Sequence, residues 1–335
     1  MLDTHQNTKI ICLTPVKNEA WILETFLKCA SLWADQIIIA DQMSTDGSRE
    51  IAKKYPKVTL IDNHSEAFNE PERQKLLINQ ARLVECDRRI LIALDADEVL
   101  VGDIACFVQN KLNEIARGSV LTFDWLNVNS NRRDYWKSKC KMPFGFIDDG
   151  SEHCGELIHS TRVPAPKAAR FFHMQTLQVL HLQYIDWDRM QSKHRWYQCF
   201  ERINYPSKSA IDIFRMYHHM YSYKKNIPIL ASSLSFYHEH GINPLQFTKL
   251  SEYHWDTEVM KLIKIHGAKY FRRIDLWNCN SSSGKSNPNL GISPNGTFDR
   301  ALLKYLAATQ YFYPNILLKI ADKAIKIITC VFGVS

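Results

Sequence analysis

The chain has 335 residues, 45% hydrophobic and 23% charged, with 42 basic and 35 acidic residues and a formal net charge of +7. That length allows one large domain or two modest ones, and that composition excludes a collagen-like, fibrous or globally disordered chain. The mild positive balance suits an anionic small molecule or an anionic membrane surface and is weak support for nucleic acid, so no nucleic-acid partner is expected.

Lys9 to Thr14 (KIICLT) reads as a strand stopped by Pro15, and Glu19 to Trp33 as a helix with Leu23, Phe26, Leu27 and Ala30 on one face. Gln36 to Asp41 is a second strand. Ser44-Thr45-Asp46-Gly47 is turn and cap chemistry leading into a short helix that ends at Tyr55. Val58 to Ile61 is a third strand, and Glu70 to Cys86 a helix with Pro71 tolerated in its first turn. The apolar run Arg89 to Leu94 is a buried strand that ends on Asp95-Ala96-Asp97. Asp103 to Ala116 reads as a helix and Ser119 to Val128 as a strand. Repeated β-α-β units with short links predict a parallel, doubly wound sheet.

After about residue 130 the pattern loosens. Residues 131 to 180 are loop-rich, with a short strand at Gln178-Val179-Leu180, and Asp186 to Asn204 reads as a helix. Asn278 to Gly296 is rich in Asn, Ser, Gly and Pro, which predicts a loop or linker. Helices are expected at Asp299 to Phe312 and Asn315 to Phe332. The last carries Leu317, Ile320, Ala324, Ile327, Ile328 and Val331 on one face, with Lys319, Lys323 and Lys326 to one side. Such a helix either lies on an anionic membrane as a peripheral contact or packs on the rest of the chain.

The polar segment Met1 to Lys9 lacks the apolar stretch of a signal peptide, and no window reaches the roughly 18 uninterrupted apolar residues of a membrane span. Nine cysteines, an odd number with no Cys-x-x-Cys pair, read as reducing-compartment usage, so the sequons at Asn63, Asn280 and Asn295 carry no weight. A cytoplasmic location is expected.

Asp95-Ala96-Asp97 alone reads either as a solvated acidic turn or as two oxygen ligands for a hard cation that holds a phosphate-bearing substrate. The first and second strands also end on acids, at Glu19 and at Asp41 to Asp46. In an open α/β sheet the ligand crevice lies beyond the carboxyl ends of the strands. Three acidic strand ends on one edge repel one another, and a cation or a hydrogen-bonding ligand relieves that cost.

Residues 9 to 130 resemble the nucleotide-sugar-binding half of family 2 glycosyltransferases, which have the GT-A fold. The matching pieces, TPVKNEAWILETFLKCA, IIIADQMSTDGSREIAKKY and ALDADEVL, stand in family order and at family spacing. The resemblance implies an α/β fold with a Rossmann-like, mostly parallel sheet flanked by helices, followed here by a C-terminal helical extension. Three regions are expected: 1–130 as the nucleotide-sugar half, 131–260 as the acceptor half that completes the metal site, and 261–335 as loop and C-terminal helices. The family usually reads Asp-Asp-Gly-Ser-Thr-Asp where this chain has Asp41-Gln42-Met43-Ser44-Thr45-Asp46, so the second acid is missing. Asp41 then matches a residue that recognises the base or ribose, Pro15 and Glu19 line the same pocket, Asp95 and Ala96 also meet the donor, and Arg73 faces base or phosphates.

Some family members carry a downstream His that completes the metal site, and His181 fits that place. It reads equally as a structural histidine. The implied metal ligands are Asp95, Asp97 and His181, and the ion is Mn²⁺ or Mg²⁺, with imidazole favouring Mn²⁺. The implied reaction moves a sugar, with inversion, from a nucleotide-diphosphate donor to a hydroxyl of a glycan or lipid-linked acceptor, in envelope polysaccharide, lipopolysaccharide or other glycan synthesis. The general base is sought among Asp148, Asp149, Glu152 and Glu156, with Asp149 first and Glu156 second. His159-Ser160 stands where some relatives carry a His-Glu pair. On the next helix, Lys193, His194, Arg195 and Trp196 make a basic-aromatic face that either meets diphosphate or acceptor or is solvated. The rival readings are a nucleotidyltransferase and a non-catalytic carbohydrate-binding protein. Against the first, Pro15 to Glu19 has no glycine-rich phosphate loop. Gly284-Lys285-Ser286 lacks the earlier glycine of a P-loop, and no Gly-x-Gly-x-x-Gly is present.

Overall fold

Strands β1 (Thr8–Val16), β2 (Gln36–Asp41), β3 (Val58–Asp62) and β4 (Arg88–Ala93) pair in parallel in the order β3-β2-β1-β4. The structure, a computed structural model, describes residues 7–223, 226–274, 276 and 297–331. Side chains alternate between two buried faces. Ile10, Cys12, Ile37, Ile39, Ile90 and Ile92 join Leu23, Phe26, Leu27 and Ala30 of α1 (Leu23–Trp33) in one cluster. Ile11, Leu13, Ile38, Leu91 and Ala93 meet Leu77, Ile78 and Ala81 in the other. Between β2 and β3 lies the short α2 (Ser48–Ala52), and α3 (Glu70–Arg82) supplies the second cluster. Burial on both faces is why these strands read as continuous apolar runs. Asn69 caps α3 by accepting from the Glu72 N–H at 3.1 Å, with Pro71 in the first turn.

Pro15 does not stop β1. It lies past the last rung to β4, Leu13 with Ala93, so its missing N–H removes no bond on that side. The run after the acidic motif, unread as a strand, forms β5 (Glu98–Gly102). α4 (Ile104–Asn110) is shorter than expected because Lys111 adopts a left-handed φ of 44°. Next come β6 (Val120–Val128), β7 (Asp134–Lys137), β8 (Met142–Ile147) and β9 (Phe171–His181). β8 runs antiparallel between β4 and β6, β9 runs parallel to β6, and β5 pairs antiparallel with β9. The molecule is thus an α/β protein with a mixed sheet on a parallel core, flanked by helices. The sheet crosses residue 130 without a break.

Two compact units are present: Met1–Asp186 with Ile227–Leu250, and Trp187–Asn226 with Ser251–Ser335. The second contains α5 (Trp187–Asn204) and α6 (Ala210–Tyr217). β10 (Ile227–Pro228) and α7 (Ala231–Glu239) belong to the first, β10 pairing with β7. α8 (His254–His266), α9 (Thr297–Thr309) and α10 (Ile316–Val331) complete the second. The stretch 278–296, with two sequons and Gly284-Lys285-Ser286, lies outside the described residues, as do Phe332 and the first six residues.

The basic-aromatic face of α5 is packed against neighbouring elements rather than solvated. Lys193, His194 and Trp196 are buried, Trp196 packs on Trp255 of α8 at 4.9 Å, and Arg195 Nη2 donates to Asp256 at 2.7 Å. His194 Nδ1 lies 3.0 Å from the Tyr217 carbonyl oxygen and donates to it. Burial disfavours the charged imidazole and holds its pKa well below the ordinary 6.5. The unfolded chain therefore binds a proton that the folded chain refuses. Stability from this group is whole above about pH 6.5 and falls as the pH drops through that window. A His194→Gln variant is expected to show a smaller loss of unfolding free energy than the parent between about pH 7.5 and about pH 5.5 in urea titrations. Equal losses in both proteins would remove His194 as a source of acid sensitivity.

Candidate functional site

The carboxyl ends of β1, β2, β4, β6 and β9 share one edge of the sheet, as the parallel and antiparallel registers require. The loops after β1 and β2 are joined by side chain to backbone hydrogen bonds. Asn18, at a left-handed φ of 56°, donates its N–H to Ser44 Oγ at 2.8 Å and accepts from the Thr45 N–H at 2.8 Å. Asp46 accepts from the Ala20 N–H at 2.9 Å and the Ser48 hydroxyl at 2.6 Å. Asp46 therefore holds the loops together.

Asp41 ends β2 fully buried. Its Oδ2 accepts from Arg49 Nη1 at 2.8 Å and from the Ser44 N–H at 3.1 Å, and Arg49 also reaches Asp62 at 2.7 Å. Its Oδ1 is buried with no hydrogen-bond partner. A buried acceptor without a donor is costly, and a ligand N–H or O–H there would relieve it. Pro15 lies in β1 beside Ala40 of β2, one rung before Asp41. Glu19 caps the first turn towards α1 through its carbonyl, and its Oε2 accepts from the Trp21 indole at 2.5 Å. Arg73, in the first turn of α3, lies 5.1 Å over the Phe68 ring and 3.9 Å from Glu70.

Asp95, Glu98, Arg162, Trp125, His181 and Asn127 form one connected group. Arg162 Nη2 donates to Asp95 Oδ2 at 2.8 Å, and its Nη1 donates to Glu98 Oε2. The Asp95 N–H also reaches Glu98 Oε2, at 2.9 Å, and the Trp125 indole donates to Glu98 Oε1 at 2.9 Å. Glu98 is 0% exposed. Burial pushes its carboxyl up to about 7; Arg162 opposes that, and Asp95 and Asp97 add to it. Burial also works against the Arg162 charge, but the Asp95 and Glu98 carboxylates outweigh it and raise its pKa. Trp125 stacks on His181 with ring centres 4.4 Å apart.

His181 and Asp97 are neighbours because β9 pairs with β5. Glu98 sits opposite His181, and the Leu182 N–H donates to the Asp97 carbonyl at 2.7 Å. His181 Nδ1 lies 2.8 Å from Asn127 Oδ1. That bond places the ring proton on Nδ1 and leaves the Nε2 lone pair as an acceptor, the tautomer that metal ligation needs. Asp95 Oδ1 is buried with no hydrogen-bond partner. Two carboxylates and an imidazole suit Mn²⁺ or Mg²⁺ chemically, and an unsatisfied carboxylate oxygen is an available ligand atom. Among the described residues no three His, Cys, Asp or Glu side chains converge closely enough to enclose a metal. An ion held by one or two carboxylates plus substrate phosphates does not need such a cage. Ala96 is buried in the apolar cluster, so only its backbone is available to a ligand.

Asp149 is not brought to this edge. β8 runs antiparallel to β4, with Ile147 opposite Ile90, which carries Asp148 and Asp149 to the amino end of β4. There Asp148 is paired with Arg82 at 2.9 Å and Arg89 at 3.2 Å, and Asp149 accepts from the Ser151 N–H at 2.9 Å. The loop 148–170 then crosses to the carboxyl edge. Glu156 is exposed in it, and its neighbour Leu157 accepts from the Glu70 N–H at the start of α3. Sequence reading missed Arg49, Glu98, Trp125, Asn127 and Arg162. Glu98 had one usable signal: an acid in the first position of a Val-Leu-Val run directly after the motif.

No family model and no curated protein matches the chain. Among solved structures it is similar to glucosyl-3-phosphoglycerate synthase from Mycobacterium tuberculosis, in complex with Mn²⁺, uridine diphosphate and glucosyl-3-phosphoglycerate. The identity is 16%, over 37% of this chain and 45% of that one, with a TM-score of 0.26. S. aureus TarS 1–349 gives 14% identity over 36% of this chain and 35% of that one, with a TM-score of 0.25. The 4-diphosphocytidyl-2C-methyl-D-erythritol synthase of Anaerococcus prevotii gives 14% over 70% and 99%, with a TM-score of 0.25. The chain spans less than half the length of the mycobacterial and staphylococcal proteins. At these identities and TM-scores the likeness decides nothing about this chain's reaction.

Proposed function

We propose that the protein is an inverting glycosyltransferase that moves a sugar from a nucleoside-diphosphate donor to an acceptor hydroxyl. The observation that carries this reading is a pair of buried carboxylate oxygens without hydrogen-bond partners, Asp41 Oδ1 and Asp95 Oδ1, at the carboxyl ends of β2 and β4. Asp41, pinned by Arg49, offers its Oδ1 to a base N–H or a ribose hydroxyl, in a pocket lined by Pro15 and Glu19. Arg73 supplies positive charge toward base or phosphates, and the backbone at Asp95 and Ala96 meets the donor. Residues 1–130 act as the nucleotide-sugar half, 131–260 as the acceptor half, and 261–335 as a helical extension.

Asp95, Asp97 and His181 would hold Mn²⁺ or Mg²⁺ together with the donor phosphates, and the ion would neutralise charge on the departing diphosphate. Asn127 fixes the His181 tautomer. Arg162 keeps the acidic group compensated, which lets the buried Glu98 and the half-buried Asp95 lie side by side with less mutual repulsion. The acceptor oxygen attacks the anomeric carbon as the bond from that carbon to the diphosphate oxygen breaks. Glu156 takes the acceptor's hydroxyl proton on its carboxylate. The acceptor is a glycan or a lipid-linked sugar of envelope polysaccharide or lipopolysaccharide synthesis, and the reaction takes place in the cytoplasm.

Isothermal titration with uridine, guanosine, cytidine and thymidine diphosphates in the presence of Mn²⁺ tests this site. Binding of at least one is expected, and Asp41→Asn is expected to weaken it by about tenfold or more, the cost of losing a hydrogen bond to a charged group. No binding of any diphosphate would sink the reading. A second expectation concerns His181. Asn127→Leu is expected to lower Mn²⁺ affinity about 10- to 100-fold in the presence of the bound diphosphate, read by the electron paramagnetic resonance of free Mn²⁺. Unchanged affinity would remove His181 from the ligand set.

A further inference from the structure

Helix α10 is amphipathic in an unusual sense: it has two apolar faces, and among the described residues only one of them packs. Leu318 is 8% exposed, and Ile325 packs on the cluster of Ile211, Phe214, Leu302 and Leu306. Asp322, on the same side, accepts from Arg215 Nη2 at 2.9 Å and from the Tyr305 hydroxyl at 2.7 Å. The opposite face is the one the sequence marked. Leu317 is 74% exposed, Ile320 60%, Ile327 55% and Ile328 44%, and Ala324 is exposed between them. At 100° per residue these positions fill one continuous arc, away from Leu318, Asp322 and Ile325. Exposed apolar patches of this kind mark interaction surfaces.

We propose that this outward face docks the protein onto an anionic lipid surface. Charge complementarity favours that occupant. Lys319 and Lys323 are exposed along one border of the arc, while the single acid of the helix, Asp322, is turned inward and paired. Tyr311, Phe312 and Tyr313 stand exposed just before the helix, as aromatic residues do at the headgroup level. No described helix is long and apolar enough to cross a membrane, so α10 would lie in the interface plane with its isoleucines among the acyl chains and its lysines at the phosphates.

The inference stands independently of the transfer reading. It is tested by co-sedimentation of the full chain with phosphatidylcholine vesicles, with and without phosphatidylglycerol, at low and high salt. Binding to the anionic vesicles is expected, weakened by salt. Lys319→Glu with Lys323→Glu is expected to reduce it by about fivefold or more per lysine. Leu317→Ser with Ile320→Ser and Ile327→Ser is expected to abolish it while lowering the thermal midpoint by no more than a few degrees, because those side chains are mostly exposed among the described residues. Absence of binding to anionic vesicles would overturn the proposal. So would equal binding by the serine variant, or a dimer in solution that the serine variant dissolves while vesicles recruit nothing.

Discussion

Replacing Arg162 by Met is expected to cost about 3 kcal/mol or more of unfolding free energy, the penalty for removing one partner of a buried ion pair. Its guanidinium is the cation that meets both Asp95 Oδ2 and Glu98 Oε2. Glu98 is fully buried, beside a second acid in Asp95, and its remaining partners are the Trp125 indole and one backbone N–H. Without Arg162 the carboxyl must take a proton or stay charged in an apolar setting, and either costs free energy. The effect should therefore shrink when the charge it leaves behind is also removed. Adding Glu98→Gln to Arg162→Met is expected to recover part of the loss, because a neutral amide keeps an acceptor for Trp125 and carries no charge. Urea titration of the three proteins measures this. A loss below about 1 kcal/mol, the range of exposed pairs, would mean the group is solvated, and a double variant no steadier than the single one would remove Glu98 as the cause.

Asp97→Asn is expected to lower turnover by about 10² to 10³, the range seen when one preorganised electrostatic group is lost from a site that stabilises developing charge. The substitution preserves shape, and the β5 to β9 junction is held by the Asp97 backbone carbonyl, which is untouched. That junction should therefore persist in the variant. Binding separates the two possible origins of a loss. Mn²⁺-dependent donor binding should fall together with turnover, and metal-free binding at Asp41 should survive. Unchanged Mn²⁺-dependent binding would take the metal away from Asp97.

Much of the first half was legible because its strands are buried on two faces and announce themselves as apolar runs. The placement of Asp41 and Asp95 at strand ends followed from that alone. What was hidden lies in the antiparallel part. β5 has five residues and begins directly after the acidic motif, too short a run to show Glu98 as a buried strand residue. Asp149 was misplaced for a topological reason: a strand that reverses direction delivers its loop to the opposite end of the sheet, and no local pattern reveals reversal. Arg162 comes from an irregular loop, more than 60 residues from the carboxylates it binds, and only the tertiary structure brings them together. His194 misled because a histidine and a lysine beside aromatics look alike on a buried and a solvated helix face, and α8, which covers part of α5, has a weak sequence signature.

The most direct measurement is a panel of nucleotide sugars incubated with the full chain, Mn²⁺ and simple glycan acceptors, scored by the phosphorus-containing product. Release of a nucleoside diphosphate from at least one donor, lost in Asp97→Asn, is the outcome the proposed function predicts. No diphosphate from any donor, with inorganic pyrophosphate formed in a parallel incubation of nucleoside triphosphates with sugar phosphates, would contradict it.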